Sequence, residues 1–115
     1  MIIDLSEMKI FVRTEPADFR KQINGLTILI QEEMTENLFG KNLFLFCNKS
    51  RNRMKIIYWD KNGFCQWLKR LEKDRFPWPK NEKEVREITL EQLKLLLSGI
   101  DFWKAHKTLN YKKVM

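Results

Sequence analysis

NKSRNRMKIIYWDKNGFCQWLKRLE, residues 48–72, is the stretch that organises the predicted fold. Its apolar run at residues 54–59 is rich in β-branched and aromatic side chains, which favour strands. Residues 43–47 form a similar run, and the polar turn at residues 48–52 between the two predicts a β-hairpin. A second turn follows at residues 60–63. It ends in Asn62-Gly63, which we expect to supply the positive φ values of a tight hairpin turn.

Residues 64–71 follow this second turn and allow two interpretations. Pairing with residues 54–59 would make them a third strand, which is our prediction. Their apolar residues also fit one face of a helix, so a helix is the alternative. These residues are Phe64, Trp67, Leu68 and Leu71.

Before the hairpins, residues 9–12 predict a short strand and residues 17–34 a long helix. Thr14 and Pro16 suit the start of this helix, and a carboxylate at Asp18 suits the positive end of its dipole. Gly25 interrupts the helix, which indicates a close contact at that point. The apolar stripe recurs at helical spacing and consists of Phe19, Ile23, Leu26, Ile30 and Met34.

After the hairpins, residues 76–79 (FPWP) predict an extended loop, and residues 80–86 predict a charged, exposed segment. Thr89 is a natural N-cap for a helix over residues 90–97, which Ser98-Gly99 would end. The expected buried face of this helix comprises Leu93, Leu96, Leu97 and Ile100. Residues 104–115 are basic and predict a frayed tail.

The resulting fold prediction is a single α+β domain over residues 1–103. An antiparallel sheet of about four strands would pack against a long N-terminal helix and a shorter C-terminal helix. The strand order does not follow from the sequence. No signal peptide and no stretch long and apolar enough for a membrane helix is present, so we expect a cytoplasmic protein. Cys47 and Cys65 are expected to be thiols rather than a disulfide.

The charge of the chain is concentrated in its middle. The net charge is +7, and residues 41–86 alone contribute +8. Such asymmetry points to a polyanionic partner, although a solvated lysine-rich surface has the same composition. The cations expected to contact nucleic acid are Lys49, Arg51, Arg53, Lys55, Lys69, Arg70, Lys73 and Arg75.

Aromatic residues are interleaved with these cations. They could stack on bases, but in a domain of this size most aromatic side chains lie in the core. Both interpretations stay open for Tyr58, Trp59, Trp67, Phe76 and Trp78.

Residues suited to catalysis are scattered along the chain. Asp18, Asp60, Asp74 and Asp101 each fit a helix end, a turn or a loop, and His106 is the single histidine. Neither a zinc-binding spacing nor a glycine-rich phosphate loop is present. We therefore expect no enzymatic activity, no metal and no cofactor.

Five short segments occur in a characteristic order along the chain. They are RKQINGL at residues 20–26, LFLFCNK at 43–49, RMKIIYWDKNGF at 53–64, KRLE with FPWP at 69–72 and 76–79, and a leucine-rich end at 90–101. With these segments, the chain resembles the small accessory protein encoded by the second open reading frame of insertion sequence 66 type transposable elements. The resemblance spans about residues 9–100. Asp74 departs from it, because the family pattern has Gly there, in a turn where a positive φ would suit glycine.

The resemblance implies a role in transposition beside a separate, larger transposase that carries the catalytic carboxylates. It provides no active site to transfer to this chain. The main hypothesis is a non-catalytic accessory protein that binds DNA, such as the element ends, through the basic surface of residues 49–86. The alternative is an adaptor that binds the transposase or a sister accessory protein through exposed aromatics and Pro77-Trp78-Pro79.

Overall fold

A mixed five-stranded sheet forms the centre of the computed structural model, which describes residues 5–34, 37–79 and 84–103. Along the chain the strands are β1 (Lys9–Arg13), β2 (Asn42–Cys47), β3 (Arg53–Asp60), β4 (Gly63–Arg70) and β5 (Val85–Ile88). Helix α1 (Ile23–Leu29) lies between β1 and β2, and α2 (Leu90–Leu97) follows β5. A short 3₁₀ turn, Leu5–Glu7, precedes β1.

Both predicted hairpins are confirmed. β2 pairs antiparallel with β3, and β3 pairs antiparallel with β4 over its full length. Residues 63–70 are therefore a strand, and the helical alternative for this segment is wrong. The apolar spacing that suggested a helix arises because both faces of β4 carry large apolar side chains.

The prediction of a four-stranded antiparallel sheet is wrong in two respects. β1 pairs with β2 in parallel, since a helix rather than a hairpin joins them and returns the chain to the same end of the sheet. A fifth strand, β5, pairs antiparallel with β1, and its first two residues belong to the segment 80–86 predicted to be charged and exposed. The sheet order is β4-β3-β2-β1-β5.

β5 is held in place by a contact that its own sequence does not reveal. Thr14 follows β1, and its hydroxyl donates to the carbonyl oxygen of Glu84 (3.0 Å) and accepts from the Glu84 amide (3.0 Å). The Thr14 amide donates to the same carbonyl. Thr14 therefore secures the first pairing of β5 and does not cap a helix.

The sheet has a hydrophobic core on each face. On the α2 face, side chains such as Leu45 and Met54 pack against Leu93 and Leu96. On the α1 face, side chains such as Phe44 and Ile57 pack against Leu26, Ile30 and Met34. β2 contributes to both cores and is buried along its whole length, as expected for a strand that is covered on both sides.

The N-terminal helix begins six residues later than predicted. Residues 17–22 are instead held by turn contacts: the Ala17 amide donates to the carbonyl of Cys47 (2.8 Å), and Asp18 accepts from the Arg20 amide (2.9 Å). These contacts occupy the backbone groups that a helix would need. Asp18 is thus a turn residue, and Gln22 precedes the helix without a side-chain cap.

The apolar stripe of the predicted helix is nevertheless correct in its central part. Leu26, Ile30 and Met34 are buried, while Phe19 and Ile23 pack at the margin of the same core. A π-helical turn, Ile30–Met34, extends α1.

Gly25 allows a close contact within this segment. A Cβ atom placed there would lie 2.9 Å from the Cβ atom of Lys21. Since that atom is attached to the backbone, the chain would have to shift to accept any side chain at this position. The contact expected at Gly25 is therefore made with Lys21.

The two hairpin turns place positive φ values on residues that composition did not single out. Lys61 (φ 52°) takes the left-handed conformation between the paired residues Asp60 and Gly63, so the expectation for Asn62-Gly63 is wrong. Arg51 (φ 61°) does so in the β2–β3 turn. Asp74 is not left-handed, and Asp in place of Gly there is without backbone strain.

Helix α2 agrees with its prediction at both ends. Thr89 forms a capping box with Gln92, in which the Thr89 hydroxyl accepts from the Gln92 amide and the Gln92 side chain accepts from the Thr89 amide. Gly99 ends the helix in the left-handed conformation (φ 79°). Leu93 and Leu96 are buried and Leu97 partly so, but Ile100 is exposed, contrary to the prediction. Residues 104–115, including His106, lie outside the described residues.

Replacing Thr89 with Ala should lower the free energy of unfolding by about 1 kcal/mol, because the backbone amide of Gln92 loses the hydroxyl that caps it. Thr27→Ala, a change of the same chemistry inside α1, is the matched control. Urea unfolding followed by circular dichroism measures both. An equal loss for the two variants would contradict a specific role of the cap.

Candidate nucleic-acid interface

The eight predicted cations do not form one surface. They lie on the α1 face of the sheet, on the α2 face, in the β2–β3 turn and in the loop after β4. On the α1 face are Arg53, Lys55 and Arg70; on the α2 face is Lys69; in the turn are Lys49 and Arg51; in the loop are Lys73 and Arg75.

Arg53 and Arg70 are the two cations of this set that oppose each other across neighbouring strands. They are direct partners in the β3–β4 ladder, and directly opposed residues share a face of the sheet. Both side chains are exposed, and no described carboxylate pairs with the guanidinium of Arg53. Arg70 contacts Glu72 at 2.9 Å, an exposed ion pair that contributes little to stability. Two arginines therefore project from the same face at this end of the hairpin.

The β2–β3 turn next to Arg53 is tied together by Asn48. Its side-chain oxygen accepts from the amides of Asn52 (3.1 Å) and Arg53 (3.0 Å), and its side-chain amide donates to Asn52 (2.8 Å). These bonds hold the turn in a single conformation. Lys49 and Ser50 are exposed at its tip, and the turn presents them beside Arg53.

An open groove of about 680 Å³ lies between this turn and residues 15–20. Arg53 and Lys49 line one side of it, and Arg20 lines the other. Asp18 and Glu15 also line it, so the groove is not uniformly basic. The hydrogen bond from Arg20 lowers the pKa of Asp18 to about 2, which keeps the carboxylate ionised.

Arg20 was not among the predicted contact residues. Its guanidinium is almost fully exposed and bonds to Asp18 at 2.7 Å. The signal that could have found it is its place in the first family segment, at residues 20–26. Its approach to Lys49 and Arg53 depends on how residues 15–20 fold across the end of the sheet, which spacing along the chain does not reveal.

Lys55 has a structural role. Only 6% of the residue is exposed, and its Nζ atom donates to the carbonyl oxygens of Phe19 (3.3 Å) and Lys21 (3.2 Å). The same atom lies 4.8 Å from the centre of the Phe19 ring. Burial, with a smaller contribution from the charge of Arg53, lowers the pKa of Lys55. This ammonium group holds residues 19–21 against β3.

Lys69 and Arg51 are also engaged in contacts within the fold. Lys69 donates from Nζ to the carbonyl of Leu97 (2.9 Å), where a cation stabilises the C-terminal end of α2. Arg51 is half-buried, and its carbonyl accepts from the Phe76 amide (2.7 Å). Neither residue lies beside Arg53 and Arg70 on the α1 face. Lys73 and Arg75 are exposed in the loop after β4.

The aromatic residues divide between the core and the surface. Phe76 and Trp78 are buried, and the Trp78 indole donates to the carbonyl of Arg13 (3.1 Å). Trp59 is half-buried and meets Phe39 and Phe64 in an aromatic cluster with ring centres 4.9–5.6 Å apart. Tyr58 is half-buried, whereas Trp67 is exposed on the α2 face.

The described residues contain no group of three His, Cys, Asp or Glu side chains close enough to hold a metal ion. Neither Cys47 nor Cys65 is part of a disulfide, and burial raises the pKa of Cys47 to about 12. That thiol is therefore protonated at neutral pH. No helix among the described residues is long and apolar enough to cross a membrane.

Comparison with known proteins identifies the family. A family model described as IS66 Orf2 like protein matches residues 8–107. The chain belongs to the IS66 Orf2-like family. Membership implies an accessory protein of transposition, in agreement with the resemblance drawn from the sequence.

Two relatives of this family member come from Sinorhizobium fredii (strain NBRC 101917 / NGR234). The uncharacterized protein y4hO is 35% identical over 107 residues, which cover 93% of each chain. The uncharacterized protein y4jC is 30% identical over 100 residues, which cover 87% of this chain and 86% of the relative. No solved structure matches the chain significantly.

Several residues of the family segments have structural roles in this IS66 Orf2-like protein. Asn48 ties the β2–β3 turn, Lys55 anchors residues 19–21, Gly25 accommodates Lys21, and Trp78 fills the α2-face core. Arg53 and Arg20 are different, because their guanidinium groups are exposed and are not required by the core.

Lys55→Met should lower the free energy of unfolding by about 1–3 kcal/mol, because the carbonyls of Phe19 and Lys21 lose a charged donor in a buried site. Lys49→Met removes an exposed cation and should change it by less than about 0.5 kcal/mol. Urea unfolding measures both. A fully stable Lys55→Met variant that had lost affinity for DNA would show instead that Lys55 contacts phosphate.

Proposed function

We propose that this protein is a non-catalytic accessory protein of transposition that binds DNA at the Arg53–Arg70 end of the sheet. Arg53, Arg70, Lys49 and Arg20 would contact phosphates, with Lys73 and Arg75 extending the contact. Family membership supports the process. The arrangement of the cations supports the surface.

The observation that carries the proposal is the direct pairing of Arg53 with Arg70. Like charges opposite each other in a sheet are destabilising, and an anion between them removes that cost. A guanidinium group can bind a phosphate through two parallel hydrogen bonds, which suits the DNA backbone. Because both groups lie on an exposed face, a duplex can approach them without moving the core.

The proposed surface is smaller than the predicted set of eight cations. Lys55 is excluded because its ammonium group is buried against backbone carbonyls. Lys69 and Arg51 are assigned to the fold, since one caps α2 and the other lies in a half-buried turn. Phosphate contacts of this kind carry no sequence information by themselves, so preference for the element ends requires additional contacts.

The double variant Arg53→Glu/Arg70→Glu should bind a duplex carrying the terminal repeat of the element more weakly than the unmodified protein. The slope of log K against log salt should become shallower by about two, roughly one for each phosphate contact removed. Fluorescence anisotropy over a salt series, with a scrambled duplex alongside, measures both quantities.

The matched control is Lys9→Glu/Lys94→Glu, which changes the net charge equally. Lys9 is the first residue of β1, at the end of the sheet opposite Arg53, and Lys94 lies on α2. Both residues are exposed. Equal losses in the two double variants would mean that only net charge matters, and the assigned surface would be wrong. Absence of binding by the unmodified protein at low salt would overturn DNA binding by the isolated chain.

A specific observation also favours the adaptor as a second function. Phe39 is 56% exposed although it packs against Trp59 and Phe64, so the aromatic cluster presents an apolar surface. This cluster replaces Pro77-Trp78-Pro79 as the contact surface, because Trp78 is buried. A pull-down with the transposase from nuclease-treated lysate tests it. A complex that survives nuclease but is lost in Phe39→Ser would support the adaptor.

A further inference from the structure

β4 is an open edge of the sheet. No described strand lies beyond it, and its ladder with β3 continues without a bulge from Asp60↔Gly63 to Arg53↔Arg70. It has 8 residues, whereas the strand at the other edge, β5, has 4. Proteins usually protect such edges with proline, a bulge, a covering segment or a very short strand. β4 contains no proline and no bulge, and it is not short.

The outward backbone groups of β4 can be identified from the ladder. The Leu71 amide donates to the Asn52 carbonyl (2.8 Å), in the same register as the β3–β4 pairs. Hydrogen-bonded and non-hydrogen-bonded pairs alternate in an antiparallel ladder, so the odd-numbered residues of β4 direct their backbone groups towards β3. The even-numbered residues direct theirs outward, and these are Phe64, Gln66, Leu68 and Arg70.

The side chains along this edge are unusually apolar for a solvated strand. Leu68 is 52% exposed on the α1 face, and Trp67 is 41% exposed on the α2 face. The cations Lys69 and Arg70 lie together at one end of the strand, and β4 has no charged residue elsewhere. The edge thus combines an apolar middle with one basic end.

We propose that a second copy of this chain pairs with β4 in antiparallel orientation, around a two-fold axis at Gln66. In this register Gln66 faces Gln66 of the second copy, and Phe64 faces Leu68 on the same side of the sheet. On the other side Cys65 faces Trp67. Every outward amide and carbonyl between Phe64 and Leu68 then meets one from the identical strand, as in a continuous sheet.

The charge distribution favours the antiparallel direction for two copies. Antiparallel pairing places the basic end of each β4 next to the uncharged Gly63 and Asn62 of the other copy. Parallel pairing would bring Lys69 and Arg70 of both copies together, and like charges in direct opposition are unfavourable. Each chain carries a net charge of +7, so the dimer should tighten as salt screens the remaining repulsion.

Sedimentation velocity without DNA tests the dimer independently of the proposed function. The unmodified protein should show a dimer that strengthens with protein and salt concentration. Leu68→Lys should raise the dissociation constant by about tenfold or more, equivalent to about 1.4 kcal/mol. Ile28→Lys on α1 changes a residue of nearly equal exposure, 51% against 52%, and should leave the dimer intact. A monomer under all conditions, or an equal effect of both variants, would overturn the proposal.

A cross-link tests the register. In a Cys65→Ser background, Gln66→Cys should form an intermolecular disulfide on mild oxidation, because opposed hydrogen-bonded residues have Cα atoms about 5.5 Å apart. Leu68→Cys should not cross-link, since its equivalent in the second copy would lie about 13 Å away along the strand. Cross-linking at position 68 but not at position 66 would contradict the two-fold axis at Gln66.

Discussion

Burial of β2 on both faces is the constraint on which the rest of the structure depends. Leu43 and Leu45 point into one core, and Phe44 and Phe46 into the other. A strand of this kind needs a layer of side chains on each side, since each large apolar residue removed from water contributes about 1.5–3 kcal/mol. The connection from β1 supplies α1 on one face, and the chain after β5 supplies α2 on the other.

This layered arrangement determines where charge can be placed. With both faces covered near the centre of the sheet, cations are restricted to strand ends, turns and the rim. Two described cations are buried, Arg13 at the end of β1 and Lys55 within β3. Lys55 shows what an interior position requires: two carbonyl oxygens and an aromatic ring around the ammonium group. Arg53 is two residues away on the same face, at the start of β3, and it is exposed.

The elements predicted correctly are those whose signals lie close together in the chain. Polar turns between strand-forming runs predicted both hairpins, and Thr89 with Gly99 predicted the ends of α2. The failures involve distant partners. Residues 17–22 form no helix because Cys47 and Lys55 bind their backbone groups. Residues 85–88 form a strand because they pair with β1 and because Thr14 holds the preceding residue, Glu84, by hydrogen bonds.

The basic middle of the chain could likewise be recognised from composition, but not its division among faces and turns. Residue alternation along β3 and β4 places Arg53 beside Arg70 and sends Lys69 to the α2 face, and that depends on the pairing register. Sequence alone determined the family, the two hairpins, the capped helix and the excess of positive charge, because each depends on residue identity or local hydrogen bonding. Tertiary structure alone decided the parallel β1–β2 pairing, the late start of α1 and which cations share a face of the sheet. These features depend on contacts between segments far apart in the chain.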